Sequence, residues 1–133
     1  MFGWFKSKPP PLEGTPARRR QKTFQSSTGY VYQYYFDGSR RANNEFGAGF
    51  EYVFSVTADR KKEFPVSIHV ADNAISAWEL RAARQMLSKE RYAVAKMALF
   101  EAFNERPNPA ALGTAVLAGT ESVARFLAIL GRD

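Results

Sequence analysis

The side chain in this sequence best suited to moving a proton near neutral pH is its only histidine, His69. Imidazole gains and loses charge in that range, so a histidine beside a carboxylate or hydroxyl can act as a general acid or base. Alternation along residues 64–70 puts His69 on the same strand face as Ser67, within reach of Gln33, Glu51 or Ser55 from neighbouring strands. A strand histidine that simply hydrogen-bonds a neighbour produces the same letters and is commoner, so a small enzyme with its site near His69 is the lesser alternative. The chain has no cysteine, which removes thiolate nucleophiles, disulfides and every cysteine-containing zinc motif. With a single histidine, a metal site would need mostly carboxylates, and no paired spacing offers them. No catalytic residue, metal ligand, cofactor or small-molecule substrate is therefore expected.

The remaining candidates for chemistry sit where turns are expected. Asp37, Glu45, Asp59, Glu63 and Asp72 fall near predicted strand ends, where aspartates commonly bond their own backbone. Phe46-Gly-Ala-Gly49 is glycine-rich but precedes a strand and lacks a Gly-Lys-Ser/Thr ending, so it offers no phosphate-cradling helix start.

Charge is the most uneven property of the chain. The net charge is +6, and all of it lies in residues 1–41, where Lys6, Lys8, Arg18, Arg19, Arg20, Lys22, Arg40 and Arg41 oppose only Glu13 and Asp37. Such a segment suits an anionic partner. Phe2, Trp4 and Phe5 form an aromatic tip beside Lys6 and Lys8, ahead of a stiff Pro9-Pro-Pro11 spacer. At an anionic membrane these rings suit the interface, and each nearby Lys or Arg adds about 1 kcal/mol. On nucleic acid, Arg18 to Lys22 and the Arg40-Arg41 pair would instead meet phosphates. Residues 1–8 carry no secretory h-region, and Ala110–Leu130 is interrupted by charges and glycines that argue against a membrane span. A cytoplasmic protein, with peripheral membrane contact as an option, is the expectation.

These residues need elements to hold them. Residues 1–22 read as a basic, Pro-rich arm, expected to be mobile, and residues 23–133 as one α+β domain. Period-two alternation marks strands at Tyr30–Phe36, Phe50–Thr57 and Phe64–Val70, with a further short strand near Thr23–Gln25. Residues 37–49 and 58–63 read as polar connections of an antiparallel meander. Helical spacing follows: one helix from Asp72 or Asn73 to about Leu87, one from Lys89 to Glu105 capped by Ser88, a short one after Pro109, and a last one from about Glu121 to Leu130 stopped by Gly131. The predicted architecture is α+β, a three-stranded or four-stranded antiparallel meander with one face covered by two to four C-terminal helices.

Tyr30, Tyr32, Tyr34, Phe36, Phe50, Tyr52, Phe54, Val56, Phe64, Val66, Ile68 and Val70 share one sheet face. They are expected to be core against the helices and not a base-stacking platform. The opposite face, with Tyr35, Val53 and His69, is expected to be open and suited to a protein partner or self-association. Ser88-Lys-Glu-Arg-Tyr-Ala-Val-Ala-Lys-Met-Ala-Leu-Phe-Glu-Ala-Phe103 resembles the last helix of double-stranded-RNA-binding domains, with Lys89 and Lys96 at that family's phosphate-facing positions. Glu90 replaces the family's second lysine, residues 73–87 intervene between sheet and helix, and a capped amphipathic helix accounts for the same letters. Together these features favour a non-catalytic interaction module with a basic aromatic arm for an anionic or protein partner; an RNA-binding protein is the main alternative. If the meander is regular, its two basic tips, Arg40-Arg41 and Arg60-Lys61-Lys62, lie at opposite ends of the sheet, and only the arm can join Arg18–Lys22 to one of them.

Overall fold

The structure, a computed structural model, describes residues 9–132. In chain order the elements are β1 (Lys22–Gln25), β2 (Val31–Asn44), β3 (Gly47–Thr57), β4 (Phe64–Ala71), α1 (Asp72–Ala82), α2 (Ser88–Glu105), a 3-10 helix (Pro109–Leu112), β5 (Ala115–Ala118) and α3 (Thr120–Ile129). The strands form one curled sheet in sequential order, antiparallel from β1 to β4 and parallel between β4 and β5. The α+β class holds, but the expected three or four antiparallel strands are five in a mixed sheet. β5 lies in a stretch expected to fold as two short helices. Its four apolar letters are too few for periodicity to separate strand from helix. Burial of Val116 and Ala118 beside Ile68 and Val70 decides the matter.

The alternating aromatic face is the core. Tyr32, Phe54, Val56, Val66, Ile68 and Val70 are fully buried, and α2 lies against them through Leu99, Ala102 and Phe103. Phe103 stacks on Tyr32 at 4.3 Å, Phe100 on Phe24 at 4.7 Å, and Tyr92 meets Phe36 edge-on at 4.9 Å. Each such pair adds about 0.5–1.5 kcal/mol to what burial alone supplies. The α1 helix stops at Ala82, earlier than expected, because Ala83 turns into the left-handed region with φ 56. Leu87, not Ser88, occupies the N-cap of α2, and the Glu90 carboxylate accepts the Leu87 N–H at 2.8 Å.

β2 is twice the expected length. The connection expected over residues 37–49 is mostly paired strand, closed by a two-residue turn at Glu45-Phe46. Its Asp, Gly and Asn residues look like turn chemistry, yet one extra residue at Asp37 absorbs the irregularity as a bulge. Gly38 allows this by adopting φ 134. Past the bulge the two faces exchange residue parity, so Arg40 stands opposite Glu51 and Arg41 opposite Phe50.

Candidate functional site

The arm is fastened to the sheet over much of its described length. Glu13 and Ser39 exchange backbone hydrogen bonds of 2.7 and 2.8 Å, and Thr15 Oγ1 donates to the Asp37 carbonyl at 2.6 Å. β1 covers β2 only from Val31 to Tyr34, so these bonds shield part of an edge that would otherwise be open. Further along, the Arg19 guanidinium donates to both Glu63 carboxylate oxygens, at 2.9 and 3.3 Å, and lies 3.9 Å above the Tyr35 ring. Tyr35 Oη donates to Gln21 Oε1 at 2.8 Å. Residues 10–21, expected to be mobile, make these contacts; Phe2, Trp4, Phe5, Lys6 and Lys8 lie outside the described residues.

This docking decides which tip the arm joins. Arg19 and Glu63 bring Arg18–Lys22 to the β3–β4 turn, where Arg60, Lys61 and Lys62 stand. Arg18, Arg20, Lys22, Arg60, Lys61 and Lys62 are all exposed, and none has an ion-pair partner among the described residues. The turn is shaped by Asp59, whose carboxylate accepts the Lys61 and Lys62 N–H groups at 2.8 and 3.0 Å. Those backbone donors, Lys62 first, hold its carboxyl below the ordinary range. Lys22 lies on the helix side of β1 near Lys96, whose ammonium is pushed down by burial and by that neighbouring charge. Basic groups therefore continue around the β1 edge.

Arg40 and Arg41 behave differently. Arg40 Nε donates to Glu51 at 2.6 Å and Arg41 chelates Asp72. Arg41 also stacks on Phe50, whose ring meets Arg91 as well, and Arg91 Nε donates to Tyr52 Oη at 2.6 Å. Their charges belong to the fold's own packing. Both are among the residues expected to bind an anionic partner, and each has a carboxylate partner that no local spacing records. Arg60, Lys61 and Lys62, read from the sequence as a hairpin tip, are not among those expected residues.

His69 is not on an open face. It is 2% exposed, with the Phe46 ring 5.7 Å away and Gly49 so close that a Cβ there would lie 2.6 Å from Nε2. Its Nδ1 is 3.4 Å from Asn44 Nδ2, and Nε2 has no partner among the described residues. The expectation of exposure failed because the β2–β3 hairpin continues past the predicted strands and lays Phe46 over it. Tyr35 and Val53 are half-buried. Ser55, opposite Tyr35, and Glu51, opposite His69, are four residues apart on β3, which is about 13 Å. The two residues do not share a cleft. Among the described residues no cluster of His, Asp and Glu could hold a metal ion, and no helix is long and apolar enough to cross a membrane.

The chain matches no protein-family model, no curated protein and no solved structure. Between the arm and the β3–β4 turn lies a polar cleft of about 470 Å³, lined by Gln21, Gln33, Tyr35, Thr57, Arg60, Lys61 and Glu63. It lies within the region where the unpaired cations gather. Lys89 and Lys96, the positions carried by the RNA-binding resemblance, are not equivalent: Lys89 is exposed at the start of α2, while Lys96 is partly buried over Tyr92 and Phe100.

Proposed function

We propose that this protein is a non-catalytic interaction module that holds an anionic partner against the composite face formed by Arg18 and Arg20 of the arm and Arg60, Lys61 and Lys62 of the β3–β4 turn, with Lys22 continuing it around the β1 edge. The observation that carries the reading is the contrast in pairing. These six cations have no ion-pair partner among the described residues, whereas Arg19, Arg40 and Arg41 are neutralised within the fold. Cations gathered without counter-charges repel one another, and an anionic surface relieves that repulsion. Docking through Arg19 and Glu63 also fixes the arm's register, so its charges do not have to be ordered when the partner binds.

The test is binding of the full chain to vesicles containing phosphatidylglycerol and to single-stranded RNA, from about 50 to 200 mM salt. R60Q/K61Q/K62Q, with all other residues intact, should weaken binding at least tenfold at the lower salt and flatten the salt dependence. Preference for vesicles identifies a membrane-peripheral protein, and preference for RNA identifies a nucleic-acid-binding one. Equal binding by the wild-type and substituted chains to both targets overturns the role of this face.

A further inference from the structure

Two residues in the cleft between arm and turn are poorly matched to their local surroundings. Gln33 is 2% exposed, and its Oε1 has no hydrogen-bond partner among the described residues. A buried polar atom left unpaired is among the less favourable arrangements a core strand can adopt. Arg60 has φ 64, a left-handed conformation that glycine, asparagine or aspartate accepts far more readily. Among the described residues the other non-glycine residue with positive φ, Ala83, simply ends α1. Gln33 and Arg60 come from different strands or turns, yet both line the same cleft. Misfits of this kind concentrate where a ligand supplies what the fold does not.

We propose that this cleft binds a phosphate ester that also carries hydroxyl groups, a sugar phosphate being the simplest case. The chemistry follows from what each lining group has left to offer. Arg60 and Lys61 are without ion-pair partners among the described residues, and together they match a phosphate dianion. Glu63 does not compete with the ligand for them, because Arg19 already holds both its oxygens. Gln33 Oε1 is an acceptor and cannot serve an oxyanion; it requires a donor, which a ligand hydroxyl provides. Tyr35 Oη donates to Gln21, so only its acceptor capacity remains, and this again selects a hydroxyl. A nucleobase is disfavoured because the one aromatic ring in the lining, Tyr35, is already covered by Arg19 at 3.9 Å. The cleft volume of about 470 Å³ is ample for a five-carbon sugar phosphate.

This assignment rests on reading the β3–β4 turn as an anion-binding face, and its test separates the two. Calorimetric titration of the full chain with ribose 5-phosphate should give saturable binding, with inorganic phosphate at least tenfold weaker and ribose weaker still. Gln33→Leu and Arg60→Gly should each weaken ribose 5-phosphate at least tenfold while melting no lower than wild type, since each removes a local misfit. Absence of ribose 5-phosphate binding, equal binding of inorganic phosphate, or unchanged affinity in a folded Arg60→Gly chain would overturn the proposal. Ribose 5-phosphate binding alongside unchanged polyanion binding by R60Q/K61Q/K62Q would retain the cleft and remove the composite face. Loss of polyanion binding in that variant, with no ribose 5-phosphate binding by wild type, would do the reverse.

Discussion

At the β2–β3 end of the sheet, Arg40 lies 2.6 Å from Glu51 and Arg41 chelates Asp72; at the β3–β4 end, Arg60, Lys61 and Lys62 have no ion-pair partner among the described residues. Both runs sit at or near the ends of strand hairpins, and as letters they are equivalent. What separates them is register. Before Asp37, β2 and β3 pair so that Phe36 faces Phe54; continued without the bulge, that register would set Arg40 opposite Phe50 on the core side. The extra residue moves Arg40 opposite Glu51 on the other face and so neutralises it. Nothing comparable happens at Arg60. There Asp59 is turned inward to the backbone N–H groups of Lys61 and Lys62, leaving the side-chain charges free.

A buried carboxylate held by two arginines lies away from the sheet and sets the scale for this contrast. Glu90, 2% exposed, accepts bonds from both Arg84 Nη atoms at 2.9 and 2.7 Å, from Arg132 Nε at 3.0 Å and from the Leu87 N–H. Glu90→Ala should cost on the order of 2–3 kcal/mol in urea denaturation, since it leaves two arginines and a helix start without their acceptor. The Arg84 guanidinium, ahead of the other partners, lowers the Glu90 carboxyl from its ordinary 4.5 to about 2. Because the folded value lies below the unfolded one, this stabilisation is complete above 4.5 and is lost as pH falls toward 2. The variant's deficit should shrink through that window. A deficit that stays constant from neutral pH to pH 2 would mean that packing, not charge, holds this corner.

The arm reaches Arg40 through the Pro10 carbonyl but carries its unpaired Arg18 and Arg20 to the β3–β4 end, and Gly38 is the seat between the two. With φ 134, Gly38 already favours glycine, and a Cβ there would lie 2.8–2.9 Å from Thr15 Oγ1, the Glu13 carbonyl and Leu12 Cβ. Gly38→Ala should therefore cost about 1–2 kcal/mol and lift the arm from β2. Amide exchange at Glu13 and Ser39 should quicken, and polyanion binding should weaken because Arg18 and Arg20 are no longer held beside the turn. Wild-type protection at Glu13 would show that the arm is anchored elsewhere.

The sequence made the two kinds of region legible to different degrees. Period-two alternation in β3 and β4 was readable because it runs unbroken over seven or eight residues with large apolar side chains, and the buried Phe54, Val66 and Ile68 follow it. β2 was readable only as far as Phe36, since a bulge reverses the alternation at the point where turn-like letters begin. The paired charges were not readable. Glu63 is 44 residues from Arg19, and Arg132 is 42 from Glu90, so no local spacing records either contact. That the arm alone could join a tip did follow from meander geometry. Which tip it joins depends on the bond between Arg19 and Glu63, which leaves no mark in the sequence pattern.

The smallest effect is the sharpest test of the contrast. Arg41 and Asp72 are 50% and 40% exposed, so their bond is screened by water despite its chelate geometry, and Arg41→Gln should cost only about 0.5 kcal/mol. Arg41 holds the Asp72 carboxyl below its ordinary range, but Asp72 also begins α1, where the helix N-terminus continues to favour a carboxylate. Phe50 keeps Arg91 at 3.7 Å, so the cation stacking on its ring is not lost altogether. Arg41→Gln should thus lower the urea midpoint slightly and leave vesicle and RNA binding as in wild type. Lys61→Gln should do the opposite, leaving the midpoint unchanged and weakening binding. If both variants weakened binding equally, pairing within the fold would not be what withdraws Arg41 from the surface, and the basic face would extend to both ends of the sheet.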